Sequence, residues 1–171
     1  AGILSKSMGL PIHHFIASTN ANDTIPRYIK EGFYEPHSTK KTISNAMDVS
    51  DPSNFIRIQK IFNSDLQKLR KNVSSFSFND TETEDVMRLL YNSCDYLTCP
   101  HSAVGYLGLK KYMDLNKISN VNGIFISTAH CIKFKDVVEN SINTSIIYPK
   151  SINDILIKEK KSLSIENYSE L

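Results

Sequence analysis

Short apolar runs alternate along this chain with segments whose apolar residues recur at every third or fourth position. Ile12-His13-His14-Phe15-Ile16-Ala17 and Ile124-Phe125-Ile126-Ser127 are runs of the first kind. The second is apolar on both faces and reads as a buried parallel strand. Helical patterns fill the rest. The longest spans Asn54 to Lys71, with Phe55, Ile58, Ile61, Phe62, Leu66 and Leu69 at helical spacing and Ser53 as its cap. Asn79-Asp80-Thr81-Glu82 opens another, and Ser102 to Met113, Phe134 to Asn140 and Asp154 to Lys161 follow. At the start, Ala1 to Met8 is a helix stopped by Gly9, with Pro11 beyond it. Asp23 or Thr24 opens the next, with Pro26 in its first turn and Gly32 at its end. Strands alternating with helices specify an α/β fold: a three-layer, mostly parallel sheet with flanking helices. In such sheets ligands meet the loops at the carboxyl ends of the strands. Ser18 to Thr24, Thr98 to Ser102 and Ser127 to Lys133 are those loops here.

The bulk numbers narrow the class of function. The chain has 171 residues, 40% of them hydrophobic and 22% charged, which is ordinary for one folded domain. A net charge of +2 gives no reason to expect a nucleic-acid partner. No apolar run approaches the length of a membrane span. The first residues, AGILSKSMGLPI, lack the apolar core of a secretory signal, so the cytoplasm is the expected location. Three cysteines in no zinc-like spacing read as reduced thiols, and the five histidines show no metal-ligand pattern. No metal is expected.

Few residues suggest chemistry on pattern alone. Ser127-Thr128-Ala129-His130 follows the more apolar strand candidate, where a hydroxyl and an imidazole would face a ligand. The alternative is that Thr128 caps the next helix and His130 is a satisfied loop residue. Cys99-Pro100-His101 and His130-Cys131 put a thiol near an imidazole, but catalytic pairs are usually remote in sequence, so both read as incidental. Asp48 and Asp51 could form an acid–base pair, although Asp51 precedes Pro52 in a turn. The six glycines are isolated, so the chain carries no loop of successive backbone N–H groups to cradle a phosphate.

The order of the residues says more than their pattern. TISNAMDVSDPSNF, residues 42–55, resembles the signature of the threonine synthases, enzymes that use pyridoxal 5'-phosphate (PLP). Three further stretches resemble the same family in the same order: AGILSKSMGLPIHHFIASTNANDTIPRYIKEG, PHSAVGYLGLK and GIFISTAHCIKF. Together they cover nearly the whole chain, and the likeness is to the longer, bacterial and fungal branch. The resemblance implies fold type II PLP architecture and conversion of O-phospho-L-homoserine and water to L-threonine and phosphate, in a monomer. It implies that residues 1–171 are the C-terminal portion of such an enzyme, beginning just after the cofactor's phosphate loop. The lysine that forms the Schiff base, and the N-terminal domain, then lie outside this chain, which alone would be inactive. Lys135 sits in a tempting Phe-Lys-Asp context, yet it aligns with a position that does not carry the cofactor.

By the same resemblance Thr128 is the cofactor-binding residue, its hydroxyl bonded to the pyridine nitrogen of PLP. Ser44, Asn45, Asp48 and His130 are expected near the active-site wall or the substrate. Two positions depart from the family: Cys131 stands where relatives carry proline, and Cys99 where they usually carry an acidic residue. A stand-alone, non-catalytic module of the same fold is an alternative reading, as is a relative that only eliminates phosphate from the same substrate. The last ten residues, 162–171, read as a mobile tail.

Overall fold

The computed structural model describes residues 1–167 and Ser169. Among them the α-helices and β-strands are α1 (Gly2–Ser7), β1 (Phe15–Thr19), α2 (Thr24–Glu31), α3 (Phe55–Ile61), α4 (Leu66–Asn72), β2 (Val73–Ser77), α5 (Asp80–Cys94), α6 (Pro100–Asn116), α7 (Lys135–Ile142) and α8 (Lys150–Leu156). Of the expected tail, residues 168, 170 and 171 lie outside the described residues.

β1 and β2 pair in parallel, Phe15 opposite Val73 through Thr19 opposite Ser77. Parallel pairing requires a long crossover, and residues 20–72 provide it through α2, α3 and α4. Alternation along β1 then sorts the layers. Phe15 and Ala17 pack into a core of Tyr28, Phe55, Leu69 and Val73, beneath α2, α3 and α4. Ile16 and Ser18, on the other face, meet α6 at Gly108. A methyl group at Gly108 would lie 1.8 Å from Ser18 Oγ, so only glycine lets this helix sit so close to the strand. Helix, sheet and helix thus form the three layers. A second core, with Met87, Cys99, Ala103, Cys131, Val138 and Ile142 among its members, joins α5, α6 and α7.

Several sequence expectations hold because local chemistry and packing agree. Asn79 and Glu82 form a reciprocal capping box at the head of α5. Gly32 ends α2 in the left-handed conformation, at φ 92°. Others are corrected. The single helix expected over Asn54 to Lys71 is two, because Asn63 and Ser64 adopt φ of 54° and 57°. Asp65 then recaps the chain by accepting from the Lys68 N–H at 3.0 Å. The first strand is shifted to Phe15–Thr19, and the last helix to Lys150–Leu156. β2 carries a Val-Ser-Ser-Phe-Ser sequence with no apolar alternation and becomes a strand by pairing with β1.

Ile124 to Ser127 forms no strand. A strand needs a neighbouring backbone to pair with, and this segment has none among the described residues. Ile124 and Ile126 stand 83% and 77% exposed, and only Phe125 packs, edge-on to Tyr96 and Tyr106. No helix among the described residues is long and apolar enough to cross a membrane.

Candidate functional site

The site lies at the carboxyl ends of β1 and β2, where the 42–48 run, the head of α6 and the 127–130 loop meet. Asn20 follows β1 and is 1% exposed. Its amide nitrogen lies 2.8 Å from both Thr42 Oγ1 and Asp48 Oδ1, and 3.2 Å from Ser44 Oγ. Its carbonyl oxygen accepts from the backbone and side-chain amides of Asn22. Asn22 in turn pairs with the backbone of Lys40 in both directions, at 2.9 and 2.8 Å. Two buried asparagines at the end of one strand therefore fold the signature run onto the sheet. Unpaired buried amides are costly, so the network holds as a unit.

Asp48 is the hub of that network. One carboxylate oxygen accepts from Thr42 Oγ1 at 2.7 Å, the other from the Thr42 N–H at 3.0 Å. With Asn20 on it as well, Asp48 shapes the run. Ser44 is 1% exposed and bonded to its neighbours. Asn45 differs from both: it opens a 3-10 turn, Asn45–Met47, and its side chain is exposed and without a hydrogen bond. Asp51 accepts from the Tyr34 hydroxyl at 2.8 Å, away from Asp48. Burial and that bond push the Tyr34 hydroxyl up to about 12.

The head of α6 bonds to both neighbouring loops. Cys99 is its N-cap in extended conformation and Pro100 its first residue. His101 Nε2 accepts the Ala46 N–H at 3.0 Å, and the ring packs on Phe134 with centroids 4.5 Å apart. An accepting Nε2 puts the proton of the neutral ring on Nδ1. Nδ1 is buried without a hydrogen-bond partner among the described residues, and the His101 side chain favours the Cys99 thiolate. Burial opposes ionisation of Cys99, but the bonds from His101 and from the Ser102 side chain and N–H outweigh it and bring the thiol down to about 7. Burial pushes the Cys131 thiol up, and nearby Cys99 adds to that.

Ser102 Oγ donates to Ser127 Oγ at 2.9 Å and lies 3.2 Å from Cys99 Sγ. Beyond it, His130 Nδ1 accepts the Ile132 N–H at 3.2 Å and caps the 3-10 turn Cys131–Phe134. His130, not Thr128, is therefore the cap. Thr128 is left exposed. Lys135 is ion-paired with Glu139 and lies 5.5 Å over the Tyr148 ring, turned to its own helix. That pair and the Ile146 N–H hold the Glu139 carboxyl below its ordinary value. Among the described residues no cluster of His, Cys, Asp or Glu could hold a metal ion.

Sequence reasoning placed Ser44, Asn45, Asp48, Thr128 and His130 in this region, and the structure brings their segments together through Asn20, His101 and Ser102. It missed those three connectors. Asn20 and Asn22, directly after a strand, were the available signal, as was His101 on a helix's first turn.

Known proteins share this sequence and fold. The sequence pattern described as "Threonine synthase, C-terminal" matches residues 102–171. The threonine synthase of Haemophilus influenzae is 41% identical over 153 residues, which is 90% of this chain and 35% of that protein. Its Escherichia coli counterpart is 39% identical over 152 residues, 89% of this chain and 34% of that protein. The crystal structure of the Escherichia coli enzyme superposes with a TM-score of 0.79 at 38% identity, over 90% of this chain and 34% of that one. Over about nine-tenths of its length, this chain is similar in sequence and fold to part of the threonine synthases. A PLP-bound threonine synthase from Brucella melitensis superposes at a TM-score of 0.82 with 25% identity, over 93% of this chain and 39% of that one. The chain spans about a third of the length of the curated relatives it matches.

Proposed function

We propose that this chain is the C-terminal part of a cytoplasmic, PLP-dependent threonine synthase that converts O-phospho-L-homoserine and water to L-threonine and phosphate. The observation that carries the reading is the meeting of the signature run and the 127–130 loop on the head of α6 through His101 and Ser102, with the exposed Thr128 hydroxyl one residue beyond Ser127. Such a hydroxyl fits the ring nitrogen of PLP. When bound, that group withdraws electrons from carbons that lose protons. Thr128 would orient the ring, and being neutral it would not force the nitrogen to stay protonated. Asn45, the one unbonded side chain of the signature trio, would face the substrate. Ser44 and Asp48 would keep the Asn45–Met47 turn in place.

The lysine that carries the cofactor would come from the part of the enzyme beyond these residues. Lys135 is an unsuitable donor because it is ion-paired with Glu139 on its own helix. The 171 residues alone are then expected to make no threonine. Treating them with PLP and borohydride should label no single lysine specifically; one stoichiometrically labelled lysine would refute that expectation. In the full-length enzyme, Thr128→Val should weaken PLP binding and shift the cofactor's absorbance while leaving the fold intact. Product analysis with O-phospho-L-homoserine should give threonine and phosphate in equal amounts. Phosphate without threonine would sink the synthase reading.

A further inference from the structure

Asn20 and Asn22 fix the base of the signature run, and its exposed turn and the 127–130 loop each reach the head of α6. The Asn45–Met47 turn makes one hydrogen bond beyond its own run among the described residues, from the Ala46 N–H to His101 Nε2 at 3.0 Å. Among the described residues, 121–129 make one to the rest of the fold, from Ser102 Oγ to Ser127 Oγ at 2.9 Å. Both partners are adjacent residues on the first turn of α6. That helix is the firmest element nearby: Ala103 and Val104 are 0% exposed, and Gly108 seats it on β1. A rigid turn with two outward bonds fixes the separation of whatever those bonds hold.

We propose that His101 and Ser102 are positioning residues, one helical turn that sets the signature run and the 127–130 loop at a fixed distance from each other. His101 reaches the run through its unprotonated Nε2, which requires the Nδ1–H form of the ring. The clamp concerns this chain alone. Only its bearing on where Thr128 stands for the cofactor rests on the proposed reaction.

The test starts in the unmodified protein, labelled with 15N in histidine and alanine. A scalar coupling through the hydrogen bond should connect the Ala46 amide nitrogen with His101 Nε2, and the imidazole shifts should place the proton on Nδ1. No coupling, or a proton on Nε2, overturns the proposal. His101→Leu should speed exchange of the Ala46 amide by about tenfold, the worth of one hydrogen bond, and leave Ser127 and Thr128 as they were. His101→Gln, which returns an acceptor near Nε2, should restore most of the protection. Ser102→Ala should raise fast backbone motion at Ser127 and Thr128 by 15N relaxation without changing Ala46. If either variant loosens both loops alike, or Gln fails as Leu does, the two bonds do not act separately and the proposal falls. Should the variants not fold, the coupling alone decides. None of these readouts depends on turnover, so a failed cofactor assignment at Thr128 would leave them standing.

Discussion

Cys99 is a buried thiol whose neighbours draw its pKa toward neutrality. It is 2% exposed, yet its thiol is brought down to about 7 by the His101 and Ser102 bonds that outweigh burial. A thiol depressed from its ordinary value adds stability that is complete above the unfolded value near 9 and lost as pH falls through about 7. Stability should therefore rise from pH 7 to pH 9 relative to Cys99→Ser, by up to about 2 kcal/mol. Urea unfolding of both proteins across that range checks it, and parallel curves would refute it. Cys131, raised mainly by burial, acts in the opposite sense, and the part of its rise that Cys99 supplies is lost in Cys99→Ser and subtracts from the difference. Alkylation of Cys99 should nonetheless be slow, because its sulfur is covered by α6 and its neighbours. Sequence adjacency to His101 was visible beforehand but dismissed. The pair works through the backbone turn of a helix N-terminus, which spacing alone does not reveal.

At the scale of elements, local chemistry and tertiary pairing were legible to different degrees. α5 could be read from its sequence because Asn79 and Glu82 cap it reciprocally whatever surrounds it. α2 could be read because Gly32 ends it in a conformation most residues avoid. β2 could not, since three of its five residues are serines and only β1 makes it a strand. Ile124 to Ser127 misled in the converse way: apolar content promised a strand, and no partner strand is there to make one. The break between α3 and α4 was hidden because the apolar spacing continues through Asn63 and Ser64 while the backbone does not. The contact of α6 with β1 yields a measurable consequence. Gly108→Ala would put a methyl 1.8 Å from Ser18 Oγ, 3.0 Å from Ser18 Cβ and 3.2 Å from Ile16 Cγ2. Turning the Ser18 hydroxyl away relieves the first contact and not the others. The expected loss is about 2 kcal/mol, read as a lower urea midpoint. Adding Ser18→Ala should recover part of it, because the shortest clash is then gone. A Gly108→Ala protein as stable as the parent would show that the helix can move off the strand.

Across the whole molecule, apolar side chains remain in water well beyond the two cores. Ile124, Ile126, Ile147, Ile157 and Leu163 are 83%, 77%, 92%, 85% and 95% exposed. Scattered single exposures are ordinary in soluble proteins, but two within three residues of a loop beside the candidate site invite association. Relatives about three times as long have further chain that could cover such residues, consistent with the part played by this chain in the proposed enzyme. The isolated 171 residues should then bind the dye ANS and self-associate as concentration rises. Replacing Ile124 and Ile126 together with glutamate should reduce both effects. It should also leave unfolding stability within about 0.5 kcal/mol, because side chains that pack on nothing contribute little. Sedimentation velocity and urea unfolding report the two quantities separately. If the double variant unfolds, Ile124 to Ser127 is packed in solution as the buried strand its sequence suggested. If association persists unchanged while stability holds, the sticky surface is elsewhere, with Ile147 and Ile157 the next residues to replace.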